Sequence, residues 1–151
     1  MARLSEKYLA EDQLDYRRRK TGDNAINRET HASRGFAATI SGGAEAGKKT
    51  NRPVVELSDS NADVILGAIT SVGLDGCNVV KNRRFVLQCI NPGETSDLRK
   101  KVIGTTTVGK VDHHQANDAT AFAQKGEIAI IGFDNDDSTG GIGHHYLCEV
   151  L

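Results

Sequence analysis

Glu127-Ile128-Ala129-Ile130-Ile131-Gly132-Phe133, then a turn over residues 134–143, then His144-His145-Tyr146-Leu147-Cys148-Glu149-Val150-Leu151, decides the fold class. The first run is rich in β-branched residues and reads as a strand. In the last run Tyr146, Cys148 and Val150 recur at every second position, the period that turns one face of a strand inward.

Working back from this pair, the same pattern repeats. Lys101 to Val111 holds Val102, Ile103, Thr105, Thr106, Thr107 and Val108. Asn91-Pro92-Gly93 is a turn, and Arg84 to Ile90 before it is rich in strand formers. Cys77 to Val80, Asp63 to Val72 and Val54 to Leu57 complete the set. Asp75-Gly76 is a hairpin signal, and Gly67 is expected to bend the strand that contains it. A helical turn is expected only around Ala119 to Ala123, within residues 115–125. Short strands separated by turn signals predict a mostly β fold, a small β-barrel or β-sandwich, over residues 53–151.

Residues 1–52 differ from this body. Ser5 caps an expected short helix over residues 6–19, with Glu6, Glu11 and Asp12 early and Arg17, Arg18, Arg19 and Lys20 late, the order a helix dipole favours. Its apolar residues, Leu4, Tyr8, Leu9, Leu14 and Tyr16, make a patchy stripe. Residues 21–35 are polar without a period, 41–52 are rich in Gly and Lys, and Phe36 to Ile40 is the one strand-like piece. The expectation is an extended or partly helical N-terminal arm that orders against a partner.

The chain has 151 residues, enough for one domain with a real core. It has no Trp, four Phe and three Tyr, so Val, Ile, Leu and Ala must build that core. Sixteen glycines against two prolines fit many tight turns. A net charge of −1 creates no overall field toward nucleic acid or an anionic membrane, and neither is expected as a partner. Local charge is uneven: Arg17 to Lys20 and Lys48, Lys49 and Arg52 are basic, and Asp134, Asn135, Asp136 and Asp137 form an acidic run. The plain reading of each is a solvated loop or helix end. Cys77, Cys89 and Cys148 lack CxxC spacing, and their odd number without a secretory signal predicts reduced thiols. Cys89 and Cys148 lie in apolar runs and are expected to be buried. No stretch is long and apolar enough for a signal h-region or a transmembrane helix.

Three segments look like chemistry. Gly42-x4-Gly47-Lys48-Lys49 approaches a phosphate-binding loop, but Lys49 stands where Ser or Thr should hold magnesium, and Pro53 and a strand follow in place of a helix. Asp112-His113-His114 resembles the triplet of DHH-type phosphoesterases, but the earlier aspartates of that family are not found upstream. Adjacent strand side chains also point to opposite faces. With His144 and His145 a metal site is conceivable, yet turn histidines explain these residues more simply. Ser138-Thr139-Gly140-Gly141-Ile142-Gly143 resembles the glycine-rich C-terminal motif of trimeric dUTPases, whose aspartate-bearing motif has no counterpart here. No catalytic residue, metal ligand or cofactor is therefore expected. The alternatives kept are a metal-dependent phosphoesterase or nucleotide hydrolase, and a β-type binding module unconnected with a capsid.

Residues 53–151 resemble the head decoration, or cement, proteins of tailed bacteriophages. Val64-Ile65-Leu66-Gly67-Ala68-Ile69 is similar to the family's early apolar-Gly-apolar strand. Val108-Gly109-Lys110-Val111 resembles its Gly-Lys-Val hairpin, and Ile130-Ile131-Gly132-Phe133 with the final strand resembles its closing hairpin. The longer arm, the cysteines and the paired histidines depart from the family pattern. The resemblance implies a non-enzymatic protein made in the host cytoplasm. It would cluster as homotrimers on the outer capsid surface and clamp neighbouring major capsid protein subunits. On that expectation Leu4, Tyr8 and Leu9 are apolar anchors, and Arg17, Arg18, Arg19 and Lys20 meet acidic capsid surface. Phe36 to Ile40 would pair with an exposed strand edge.

Overall fold

The computed structural model describes residues 16–41, 53–80, 84–114, 128–135 and 144–150. Strand accounts for 48% of them and helix for 7%, so the mostly β expectation holds. Five strands close into a barrel: β1 (Tyr16–Arg18), β2 (Ala37–Ile40), β3 (Val54–Leu57), β4 (Gly67–Val72) and β5 (Gly76–Val80). Their order is β1-β3-β2-β4-β5, and β5 pairs back with β1. Every pairing is antiparallel except β1 with β3. Small residues let so few strands close: Ala37 and Ala38 lie opposite Ala68 and Gly67. Ala38, Val55, Leu57, Ile69, Val72, Cys77 and Val79 pack together with Ile26 as the barrel core.

This barrel corrects the expected arm. Residues 16–41 are not a separate segment but supply two of the five strands and the buried Ile26, Ala37 and Ala38. A boundary at residue 52 therefore cuts through the barrel. Tyr16–Arg18 is strand, where a helix end was expected: Arg17 N donates to Pro53 O at 3.0 Å, and Arg18 N to Asp75 O at 3.0 Å. Residues 6–15 of the expected helix lie outside the described residues. The one α-helix described, α1 (Arg28–His31), is capped by Asn27, whose side chain accepts from Thr30 N at 2.9 Å.

The second sheet runs β7-β8-β6-β10-β9, from β6 (Phe85–Cys89), β7 (Val102–Gly104), β8 (Val111–His113), β9 (Ile128–Asp134) and β10 (His144–Val150). A 3-10 turn, Thr95–Asp97, precedes β7. The two edges approach each other: Lys101 bridges to Ala129, Arg99 N donates to Ile130 O at 2.6 Å, and Ile130 N to Lys100 O at 2.9 Å. These bonds occupy edge groups that would otherwise template another strand. Phe85, Leu87, Cys89, Val111, Ile130, Tyr146 and Cys148 fill the inside. Ala37, Ile65 and Ala68 of the first barrel join this same cluster, so the two bodies share a core.

The predicted strands 77–80, 84–90, 127–133 and 144–151 match β5, β6, β9 and β10 to within a residue or so, Glu127 and Leu151 lying outside the described residues. Asp63 to Leu66 are not strand, because the Asp63 carboxylate accepts from Ser58 Oγ, Asp59 N and Ser60 N at 3.0–3.1 Å and folds a loop there. Strand begins at Gly67, where a side chain would overlap the Val80 carbonyl. Lys101 to Val111 is two strands, turned near Gly109, whose φ of +77° suits glycine. The helical turn expected in residues 115–125 lies outside the described residues, as do the Gly/Lys loop at 42–49 and the glycine-rich segment 138–143.

Candidate functional surfaces

The expected attachment residues separate into groups. Leu4, Tyr8 and Leu9 lie outside the described residues. Arg18 is engaged internally: Nε donates to Gly73 O at 2.8 Å, and the guanidinium nitrogens to Ile26 O at 2.7 Å and Leu74 O at 2.9 Å. Arg19 donates to Glu56 Oε2 at 2.6 Å, and that oxygen also receives Asn24 Nδ2 at 2.8 Å and Ser41 Oγ at 3.3 Å. Lys20 pairs with Asp75. Arg17 is half-buried in β1. Arg18 and Arg19 are thus engaged within the barrel, which corrects the plain reading of them as a solvated run, whereas Lys20 is exposed and its pair with Asp75 lies at the surface. Phe36 is packed on the barrel core, its ring edge-on to His31 at 4.8 Å. Ile40, at the end of β2, is 50% exposed.

The Asp112-His113-His114 triplet lies at β8 and just beyond. Asp112 accepts from Asn91 Nδ2 at 3.0 Å. His113 Nδ1 stands 3.2 Å from both Asp112 Oδ1 and the Tyr146 hydroxyl, and Nε2 stands 3.5 Å from Asp97 Oδ1. The Tyr146 hydroxyl donates to Asn91 O at 3.2 Å. Asp97 accepts from Glu94 N at 3.0 Å and Lys100 Nζ at 2.9 Å. Burial acts to raise the Asp97 pKa, but the Lys100 and Glu94 hydrogen bonds and the His113 charge outweigh it and hold the carboxyl below its usual range. Burial first, then neighbouring negative groups, pushes the Tyr146 phenol up. His114 Nε2 is buried and has no hydrogen-bond partner among the described residues. His144 Nδ1 meets Asn135 O at 3.2 Å, two residues before Tyr146 on the same face of β10, while His145 lies on the other face and lines the groove described below. Among the described residues, no group of three or more His, Cys, Asp and Glu is arranged to hold a metal ion. No helix among them is long and apolar enough to cross a membrane.

The least expected surface is the outer face of the second sheet. Val86 of β6 faces Leu147 of β10, which faces Gly132 of β9. The register shifts between Leu147 and Cys148, so Ile131 is an extra residue in a bulge. Beside this row lies a groove of about 520 Å³ lined by Val86, Gly132, Phe133, Asp134, His145 and Leu147. Val86 is 43% and Phe133 38% exposed. None of these was among the expected attachment residues. The signal was present: Phe85-Val86-Leu87 and Ile128 to Phe133 are apolar at consecutive positions, more than a strand with one solvated face requires. Comparison of the chain with known protein families, with characterised proteins and with solved structures found no match.

Proposed function

We propose that this chain is a structural virion protein that binds the outer surface of a bacteriophage capsid and braces contacts between major capsid protein subunits. The observation that carries this reading is where the resembling segments fall. Gly67 to Ile69 opens β4, Val108 to Val111 forms the turn into β8, and Ile130 to Phe133 lies in the closing β9–β10 pair. The first begins a strand after the loop at 64–66, the second is a turn, and the third lies within a strand of the small β body. A brace of this kind needs a rigid body and adhesive surfaces repeated around a shell, where weak contacts sum by multivalency. Apolar side chains left exposed on rigid strands, such as Ile40, Val86 and Phe133, suit that task. Leu4, Tyr8 and Leu9 remain in the proposal as anchors on the capsid.

The test is quantification of the protein on density-purified virus particles from the source. A fixed ratio near one copy per shell subunit is expected. Absence, or a few copies per particle, would sink the reading and leave a β-type binding module without a capsid.

A further inference from the structure

Among the described residues the two bodies have one topology. In β1 to β5 the first strand runs parallel to the third, and the second is antiparallel to the third and the fourth. The fifth is antiparallel to the fourth and the first. Strands β6 to β10 repeat this pattern, with the Lys101–Ala129 bridge standing for the pairing of second with fourth. The register repeats as well. Arg18 opposite Val55 matches Cys89 opposite Val111, and Tyr16 opposite Cys77 matches Leu87 opposite Tyr146. Ala38 opposite Leu57 matches Val102 opposite His113, and Ala37 opposite Ala68 matches Lys101 opposite Ala129. In the last hairpin of each body two residues face one: Thr70 and Ser71 against Asn78, and Ile131 and Gly132 against Leu147.

Hydrogen bonds fall on the same positions. Arg19 N to Val55 O at 2.9 Å matches Ile90 N to Val111 O at 3.0 Å. Ser58 N to Ala37 O at 3.0 Å matches His114 N to Lys101 O at 2.8 Å. Ile69 N to Phe36 O at 2.9 Å matches Ile130 N to Lys100 O at 2.9 Å. Gly35 and Arg99 share one position and have φ of +80° and +75°. Glu56 and Asp112 share another, and each accepts from an asparagine that follows the first strand, Asn24 at 2.8 Å and Asn91 at 3.0 Å. Asp112 of the Asp-His-His triplet therefore belongs to the common framework. Side chains elsewhere differ, as Leu57 does from His113, so the repeat is carried by backbone pairing.

We infer that the chain is two copies of one five-stranded unit in tandem, docked head to tail. Gln88 N donates to Gly35 O at 2.8 Å, and Ala37 N to Gly109 O at 2.9 Å. Gly35 corresponds to Arg99, whereas the second unit presents Gln88, Gly104 and Gly109, so two different faces meet. Glycine marks this contact. Gly104 corresponds to Ile40, which is 50% exposed, so the unit itself accepts a large side chain there. A side chain on Gly104 would overlap the Ser60 carbonyl of the first unit. Arg99 is exposed and shows that a side chain is also accepted at the Gly35 position. On Gly35 a Cβ would crowd Val86 O at 3.2 Å and Gln88 N at 3.3 Å, both of the second unit. Each glycine thus answers to the neighbouring unit, where backbones approach closely. This inference stands apart from the capsid reading.

The experiment is amide hydrogen exchange, followed by NMR, on the full chain and on two variants at equivalent positions, Gly104→Ala and Ile40→Ala. Gly104→Ala is expected to speed exchange at the docking amides of Ala37, Gln88 and Gly109 about tenfold or more. The amides of Arg19, Ile69, Ile90 and Ile130, bonded within a unit, are expected to change less than about twofold. Ile40→Ala is expected to move neither set. Equal acceleration of both sets, none at the docking amides, or the same effect from Ile40→Ala would each overturn the inference. A second measurement decides the matter if Gly104→Ala does not fold. A protease site placed within residues 81–83, which connect the units in sequence, is cut in the folded full chain. The two pieces are expected to elute together under native conditions and to separate in urea. Pieces that part under native conditions would overturn the inference.

Discussion

The Arg18 guanidinium donates to the Ile26 carbonyl at 2.7 Å and so ties the barrel's first strand to the buried loop that follows it. The same side chain caps two carbonyls of the β4–β5 turn. Arg18→Ala should cost about 3 kcal/mol, since three carbonyls lose a charged donor. Arg18→Lys should recover little of this, because an ammonium cannot reproduce the planar fork. Urea denaturation measures both. Truncation of residues 1–41 should abolish the cooperative transition, as it removes β1, β2 and Ile26. A truncated chain that unfolds cooperatively would restore the arm as a separate segment.

Gly109 is the second sensitive point. Its N–H donates to Ser58 O at 2.7 Å and its carbonyl accepts from Ala37 N at 2.9 Å, joining the two bodies. A methyl group there would press on the Phe36 ring at a backbone angle that suits glycine. Gly109→Ala should destabilise by about 2 kcal/mol or more. A thermal midpoint unchanged from the natural chain would contradict this.

The network around His113 makes a graded prediction. Asp97→Ala removes a buried carboxylate that accepts from Glu94 N and Lys100 Nζ, and should cost about 3 kcal/mol. Tyr146→Phe removes one hydroxyl bond to Asn91 O and should cost about 1–2 kcal/mol. Chemical denaturation should rank them in that order. The reverse order would mean that the Asp97 pairings contribute little.

Burial, aided by the Arg34 charge, holds the His31 pKa below the usual histidine value of 6.5. Its Nδ1 accepts from Asn27 N at 2.9 Å, which requires the neutral ring's lone pair. Below the unfolded value the unfolded chain binds the proton more readily, so stability rises with pH there. This contribution is intact above the unfolded value and is lost as pH falls toward the lowered folded value. Urea midpoints should drop as pH falls below the ordinary histidine value of 6.5, and His31→Gln should flatten that slope. Asp97, also lowered, acts in a separate window. Its stabilisation is present above the ordinary aspartate value, near about 4, and is lost as pH falls through the folded value.

The three cysteines are buried thiols outside any disulfide. Burial pushes the thiols of Cys89 and Cys148 up to about 12. Iodoacetamide at mildly alkaline pH should therefore leave the folded protein unlabelled and label it at all three positions in denaturant. Rapid labelling of the folded chain would show that the second sheet opens locally.

What the sequence determined by itself was local. Tyr146, Cys148 and Val150 alternate because one face of β10 must be apolar, and that pattern needs no partner to be legible. Turn chemistry likewise marked Asp75-Gly76 and Asn91-Pro92-Gly93. Burial of Cys89 and Cys148 followed from their apolar neighbours. Tertiary structure alone decided the rest. Phe36 to Ile40 was legible as a strand, and Ala37–Ile40 is one, but nothing local says that it is barrel wall; Tyr16–Arg18 is too short and too polar to announce itself at all. Both take their places because β3, β4 and β5 offer hydrogen bonds from residues far along the chain. Arg18 and Arg19 read as a solvated charge run until closure brings carbonyls and Glu56 within reach. The groove beside Val86 and Leu147 appears only once three strands align in register. Side-chain alternation is a property of each strand, whereas pairing, closure and register are properties of residues that meet only in the folded chain.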